Sequence, residues 1–417
     1  MKIAIIGGGA AGMMAAAAVL ESGAEHEVFL IEKNASLGQK VIISGGGRCN
    51  VTTGFSDLSL IAQRYPRGEK FLQSAFYRFS PELVREWFEA HGVPLKKEED
   101  GRIFPVSNNG KDIVGVFETL FKNQKIKIQF KCELKKIEKQ GLQFNLSFSD
   151  AKTLLVDKLI LTTGGQAYRH TGSTGDGYAF AESLGHTITA LAPSLNSFIL
   201  SEPWIKTLAG VALKKAQLTV KRTKKIDWSG PLLFTHKGIT GPAVFALSSL
   251  VAFEEYNAKN PLEIRLDLVP DLSLEALEKT LQAELQKNPK KQVRNLSFPF
   301  PKSLASALCD QLQIPEGKIS AELSKKDFNR LINIFKNLSL HAIARGAGDE
   351  FVTAGGVDTD EVNPRTMESK ICPGLYFAGE ILNVDGFTGG YNLQCAWATG
   401  KLAGQSASGT INSSTVK

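Results

Sequence analysis

The sequence predicts an α/β fold in which a dinucleotide-binding domain is interrupted by a β-rich, barrel-like insertion and then by a helical one. Three observations carry this expectation. Residues 3–12 read as strand, glycine turn and helix start: Ile3-Ala4-Ile5-Ile6, then Gly7-x-Gly9-x-x-Gly12. The next apolar run, Val28-Phe29-Leu30-Ile31, ends in an acid, Glu32. Toward the other terminus, Leu375-Tyr376-Phe377-Ala378 runs into Gly379-Glu380 and a second glycine-rich turn ahead of a helix. Between these ends the chain changes character at about Leu191 and returns to strand-and-glycine character after residue 345. The expected division is 1–190 with 346–417 for a discontinuous Rossmann-type domain, 191–270 for the β-rich insertion and 271–345 for the helical one.

The amino-terminal run is too broken for a secretory signal or a membrane span. A spanning helix needs about 20 apolar residues, whereas Gly7, Gly8, Gly9 and Gly12 interrupt this run and Glu21 ends it. As a nucleotide turn each glycine has a task. Gly7 makes the tight bend, Gly9 lets backbone N–H groups approach a pyrophosphate, and Gly12 lets helix and strand pack closely. The helix start, with Ala11, then offers N–H groups and a positive dipole end to the phosphates. Glu32 lies 20 residues after Gly12, where an acid accepts hydrogen bonds from a ribose. FAD and NAD both carry that ribose, so turn and acid together leave the cofactor open.

After Gly38-Gln39-Lys40 and Val41-Ile42-Ile43 comes Ser44-Gly45-Gly46-Gly47-Arg48-Cys49-Asn50. Three consecutive glycines flanked by Lys40, Arg48 and Asn50 point to backbone passing close to a ligand rather than to a flexible loop. Ser80 caps a helix with Pro81 in its first turn, ending near Gly92. Asp100-Gly101 signals a hairpin, and a helix follows from Asp112 to Phe121. Residues 125–130, 133–139 and 142–149 read as three strands of a β-meander. Leu154 to Leu161 reads as one strand running into Thr162-Thr163-Gly164-Gly165. In the insertions, Leu213–Val220 and Pro231–Phe234 are strand-like, and Gly241-Pro242 opens a helix. Leu274, Leu277, Leu281 and Leu285, and then Phe328, Leu331, Ile332 and Phe335 after Ser324, repeat at helical spacing. Both patterns are core packing.

The chain has 417 residues, 43% hydrophobic and 22% charged, and a net charge of +7, which suits a globular protein of two or three domains. No stretch is long enough to cross a membrane. Basic runs at Lys221–Lys225 and Lys122–Lys136 are read as solvated faces rather than nucleic-acid surfaces, because no nucleic-acid module accompanies them. Cys49, Cys132, Cys309, Cys372 and Cys395 are odd in number and show no C-x-x-C spacing. That argues against a disulfide framework, a zinc knuckle or a dithiol centre and for a cytoplasmic setting. The six histidines show no metal-ligand spacing.

The tail separates FAD from NAD. Asp385-Gly386-Phe387-Thr388-Gly389-Gly390-Tyr391-Asn392-Leu393 opens a helix over Gln394–Ala403. NAD needs no second glycine turn at a helix amino terminus, whereas FAD uses one, with the acid Glu380 toward ribityl hydroxyls and the helix dipole toward the flavin. With "GQKVIISGGGRCNVT", "GSTGDGYAFAESLGH", "LLFTHKGITGPA", "TAGGVDTDEVNPRTMESK" and the tail "GLYFAGEILNVDGFTGGYNLQCAWATGKLAG", the chain resembles the BaiN-type NAD(P)/FAD-dependent oxidoreductases, which include aminoacetone oxidase-like flavoproteins. The resemblance covers essentially the whole chain. It implies that Gly7, Gly9, Ala11 and Gly12 meet the pyrophosphate and Glu32 the adenosine ribose. Lys33, Lys40, Gly46, Gly47, Arg48, Cys49 and Asn50 would line the path from phosphates to flavin, and backbone near Glu133 would face adenine. Thr163 and Gly164 would close over the dinucleotide, and Gly379, Glu380, Asp385, Gly390, Asn392 and Leu393 would hold ribityl and flavin. One departure stands out: relatives usually read Ser-Tyr-Pro after the Gly-Gly pair, where this chain reads Gln166-Ala167-Tyr168-Arg169. "STGDGYAFAESLG" also resembles fumarate-reductase and aspartate-oxidase flavoproteins.

The expected function is hydride transfer between FAD and a small organic substrate, as reduction of an activated C=C bond with NADH or NADPH as transient donor. No second Gly-x-Gly-x-x-Gly stands in a strand–turn–helix context near 150–190, so no resident nicotinamide domain is expected. Two alternatives stay open: amine oxidation with oxygen, and a tRNA-modifying or nucleic-acid-binding flavoprotein. The candidate catalytic residues are His236, Tyr168 and Arg169. His236, in "FTHKGITGP", reads equally as a proton donor over the flavin or as a residue packing its turn.

Overall fold

At the centre of the computed structural model, which describes residues 1–123, 126–222, 224–346 and 351–411, is a five-stranded sheet. Its strands are β1 (Lys2–Ile6), β2 (Glu27–Ile31), β3 (Ile126–Gln129), β4 (Lys158–Leu161) and β5 (Leu375–Phe377), in the order β5-β4-β1-β2-β3. Every pairing is parallel. The inner strands are apolar along their length because helices cover both faces of such a sheet; Ile3, Ala4, Ile5, Leu159, Ile160 and Leu161 have no exposed surface. Three helices matter for the site: α1 (Ala10–Glu21), α2 (Asp176–Ser183) and α3 (Tyr391–Ala407). Helix α3 lies directly on α1. A Cβ on Gly400 would stand 2.4 Å from the Ala11 carbonyl oxygen, and one on Gly404 2.3 Å from that of Ala15. Glycines one turn apart thus let the two backbones touch. This sheet, its helices and the segments around them form one compact unit, Met1–Pro193 with Phe351–Lys417.

The expected meander is shifted by one strand. Lys125 lies outside the described residues, and Ile126–Gln129 pairs with β2 as the edge of the parallel sheet. The meander is Leu134–Gln140, Gln143–Phe148 and Thr153–Val156. The single strand expected over 154–161 divides at Asp157. Its carboxylate accepts from the Lys2 backbone N–H at 2.8 Å and from Gln143 Nε2 at 2.7 Å. One side chain therefore ties both sheets at the point where the chain passes between them.

The second compact unit is Ser194–Glu350, and it contains a closed antiparallel barrel. Around it run Phe198–Leu200, Gly238–Thr240, Lys225–Phe234, Ala212–Lys221, Leu262–Asp267 and Leu338–Arg345. Strand alternation fills the interior: Ala216, Leu218 and Val220, Leu262, Ile264 and Leu266, and Leu338, Leu340 and Ala342 are all buried. Helices Leu274–Lys287, Lys302–Gln311 and Lys325–Lys336 lie in the chain between the last two strands. The stretch expected to be helical to residue 345 therefore ends as a barrel strand, because Leu338-x-Leu340-x-Ala342 has period two.

Candidate functional site

The amino-terminal turn is shaped by what its glycines touch. Gly7 has φ +107°, and a Cβ there would meet the Thr162 carbonyl oxygen at 2.6 Å; one on Gly12 would stand 1.9 Å from the Gly7 oxygen. Gly9 differs: a Cβ there would meet nothing within 4 Å. Two glycines are closed by the fold, and the middle one leaves open space at the start of α1, a helix with no side-chain cap. Glu32 is buried, with Oε2 accepting from the Gly8 N–H and Oε1 from that of Asn34, each at 2.7 Å. A carboxylate has about four acceptor positions, so acceptor capacity remains for a ribose. Cys132 N–H donates to the Glu32 carbonyl at 3.1 Å and Lys131 N–H to that of Asn34 at 2.9 Å, which sets the start of Glu133 beside the acid. The Glu133 side chain itself pairs with Lys135.

Thr162 Oγ1 donates to the carbonyls of Ile6 and Gly7, both 2.9 Å. Thr163 Oγ1 is buried without a hydrogen-bond partner among the described residues, and Gly177 of α2 packs on it. Gly164 has φ +75° and lies against Ser173. Lys33 reaches the start of α2, donating to Thr174 Oγ1 at 2.7 Å and pairing with Asp176 at 2.9 Å.

A polar cluster forms where β5 ends. Lys40 Nζ donates to Glu380 Oε2 at 2.7 Å, the Thr353 N–H donates to Glu380 Oε1 at 2.9 Å, and the Gln166 N–H donates to Thr353 Oγ1 at 2.7 Å. Lys40 Nζ also lies 5.7 Å from the Tyr168 ring centroid, and that ring stacks on Phe351. Arg169 is exposed and donates to Gln166 Oε1 at 2.9 Å and to the Thr174 carbonyl at 3.4 Å. Burial, with Glu380 adding its charge, pushes the Tyr178 phenol up. Gly379 completes the cluster by approaching α1, since its Cβ would stand 2.8 Å from that of Ala11.

The remaining sequence-derived residues differ in how firmly the protein holds them. Gly46 and Gly47 are exposed, with nothing within 4 Å of a Cβ on either. Arg48 pairs with Glu98 at 2.7 Å and covers Phe104. Cys49 is fully buried, and burial pushes its thiol up to about 12. Asn50 Oδ1 accepts from the Ile103 N–H at 3.3 Å. Asp385, expected to face the cofactor, is buried and held by two guanidinium nitrogens of Arg67. Asn392 closes the last turn by accepting from the Gly386 N–H at 2.8 Å and donating to the Gly386 carbonyl at 2.7 Å. Gly390 caps α3 without a side chain and packs on Thr52, and Leu393 follows half-buried. Sequence reasoning missed Arg67, Thr353 and Tyr178.

A family model described as "HI0933-like protein Rossmann domain" matches residues 1–406. The chain belongs to this family. Among curated relatives, a protein of Clostridium scindens named 3-dehydro-bile acid delta(4,6)-reductase is 33% identical over 97% of this chain and 98% of its own length. Another from Escherichia coli, named ribosomal RNA dihydrouridine synthase, is 31% identical over 95% of each chain. The fold is shared with 3-ketosteroid delta1-dehydrogenase from Sterolibacterium denitrificans, at a TM-score of 0.52 and 12% identity, over 98% of this chain and 99% of that one.

This member of the HI0933-like family is a FAD-dependent oxidoreductase. Its residues fit the cofactor: open space at Gly9 before an uncapped helix, a buried carboxylate at the end of β2, an orphaned Thr163 hydroxyl, and a second uncapped helix start at Gly390. Bound FAD supplies the hydride chemistry; the chain binds and orients it. The candidates Tyr168 and Arg169 belong to the Lys40–Glu380 cluster. His236 belongs to the barrel unit, exposed in the turn before Gly238–Thr240. That turn is closed by Thr235, whose N–H donates to the Gly238 carbonyl at 2.8 Å and whose Oγ1 accepts from the Gly238 N–H at 3.1 Å. No helix is long and apolar enough to cross a membrane among the described residues.

Proposed function

We propose that this flavoprotein reduces a C=C bond conjugated with a carbonyl group, taking electrons from NADH or NADPH. The observation that carries the reading is the 33% identity, over 97% of the chain, to a protein named as a delta(4,6)-reductase of a 3-dehydro bile acid. Such a reduction needs a hydride at one alkene carbon and a proton at the other. Hydride comes from the cofactor, and the chain supplies the proton and a positive group toward the carbonyl oxygen. Tyr168 and His236 are the candidates for the proton, and Arg169 for the carbonyl.

A second reading concerns the acceptor. Relatives named ribosomal RNA dihydrouridine synthase match at 31% and 30% identity over 95% of the chain. Uridine also carries an alkene conjugated with a carbonyl, so the bond chemistry is common to both. These relatives remove the ground on which nucleic acid was set aside from the sequence. One anaerobic experiment tests both readings. The yellow flavin is bleached with NADH and NADPH separately, then mixed with a cyclic enone or with uridine-containing RNA. Recovery of colour with either acceptor, together with the saturated product, supports the reductase. Bleaching by small amines with no recovery by either acceptor refutes it.

A further inference from the structure

Charge is distributed unevenly between the two units. Residues 194–350 carry 22 Lys and Arg against 16 Asp and Glu, whereas the rest of the chain carries 27 against 26. Nearly all of the net charge of +7 therefore belongs to the barrel unit. Much of its surface charge is matched within the unit, as in Lys215–Asp271 and Arg265–Glu263.

The tip of the hairpin joining Ala212–Lys221 to Lys225–Phe234 is different. Lys221 and Lys225 are cross-strand partners, and like charges directly opposite each other destabilise a hairpin. Arg222 and Lys224 complete the tip, closed by an Arg222 N–H bond to the Lys224 carbonyl at 3.2 Å. Lys225 is relieved by Asp227 at 2.9 Å and Arg222 by Glu254 at 3.5 Å. Lys221 and Lys224 are exposed and have no ion pair among the described residues.

We infer that this tip binds RNA, with its unmatched lysines on backbone phosphates. The inference rests on the RNA reading of the acceptor. A polyanion offsets the unmatched charge of Lys221 and Lys224, and a cationic hairpin tip suits the backbone of single-stranded segments. A lipid surface fits less well. Binding in a membrane interface needs an apolar face, and the apolar residues next to the tip, Ile226 and Trp228, pack against the barrel core.

The test is equilibrium binding of the holoenzyme to a labelled single-stranded ribosomal RNA fragment across a salt series. It compares wild type, K221Q/K224Q, and a control that removes two exposed lysines from a helix of the same unit, K279Q/K287Q. Flavin bleaching by NADH or NADPH reports that each variant is intact. The salt slope of log K falls by about 0.7 per phosphate contact for single strands, so the tip variant should lose roughly 1.4 from its slope, and the control should keep the wild-type value. Equal loss in both variants means diffuse attraction and overturns the proposal. A wild-type slope in the tip variant, with RNA still bound, overturns this surface while sparing the RNA reading. No RNA binding by wild type overturns both. Binding of wild type to phosphatidylserine vesicles in place of RNA assigns the tip to a membrane and likewise overturns it.

Discussion

Gly9 and Gly12 stand three residues apart in one turn, and substitution by alanine should damage the protein in opposite ways. At Gly12 the new Cβ would stand 1.9 Å from a backbone oxygen, that of Gly7. Neither atom is the end of a flexible side chain, so α1 must move off β1. Overpacking of this kind typically costs about 1–3 kcal/mol and more when backbone cannot yield. At Gly9 the new methyl meets no protein atom within 4 Å, and φ is −79°, which alanine adopts freely. Gly9 is also the N-cap, where alanine is poorer than glycine, but alanine loses less chain entropy on folding by about 0.4–1 kcal/mol. The two effects offset, and apo stability should change by less than about 0.5 kcal/mol. The methyl would instead occupy the space before the helix amino terminus. If phosphate oxygens approach the backbone there, a lost hydrogen bond to a charged group is worth about 1.5–3 kcal/mol, or roughly a 10- to 100-fold weaker FAD affinity. The assay pairs urea unfolding of the apoprotein with flavin-fluorescence titration. Gly12→Ala should lose stability first; Gly9→Ala should lose cofactor alone. Wild-type FAD affinity in Gly9→Ala would show that the open space is not where the pyrophosphate runs.

Four further outcomes follow from other residues. Arg67→Met leaves the buried Asp385 carboxylate without its guanidinium and should cost about 3–5 kcal/mol in urea unfolding of the apoprotein; a cost below 1 kcal/mol, on the order of a surface pair, would show that the pair does not sustain the fold. Cys49→Ser should keep flavin reduction, because burial raises the thiol to about 12 and no thiolate forms near neutrality; a variant that binds FAD but cannot be bleached would contradict this. His186 is buried between Glu361 and Ser369, and burial holds its pKa below 6.5 against the opposing pull of Glu361. The folded state keeps it neutral, so its contribution is full above the unfolded pKa of about 6.5 and is lost as pH falls toward the folded one; His186→Asn should flatten the decline in stability as pH falls below about 6.5. His236→Ala, at an exposed turn closed by Thr235, should leave FAD and fold intact and slow turnover by about 10²- to 10⁴-fold; unchanged turnover per folded molecule would end its candidacy as proton donor.

What could be read from the sequence was what the backbone itself demands. The turn was legible because Gly7 and Gly12 each leave no room for a side chain, and Ser80 and Ser324 were legible because a hydroxyl before a helix has one local use; each accepts from an N–H three residues on. Competing periods were harder. Residues 338–345 follow a strongly amphipathic helix, and only the alternation of Leu338, Leu340 and Ala342 marks the change to a barrel strand. The division at Asp157 was invisible because its cause, a carboxylate shared by Lys2 and Gln143, is tertiary. The same holds for the site. Glu380 was singled out as a candidate by its strand-end position, but its partner Lys40 lies 340 residues away and Arg67 lies 318 residues from Asp385. A lone Arg67 carries no local signature. The pairing gives Asp385 a structural task in the last turn besides the cofactor role proposed for it. The open position at Gly9 and the Lys40–Glu380–Thr353 cluster are the features of the unit that the cofactor proposal leans on most.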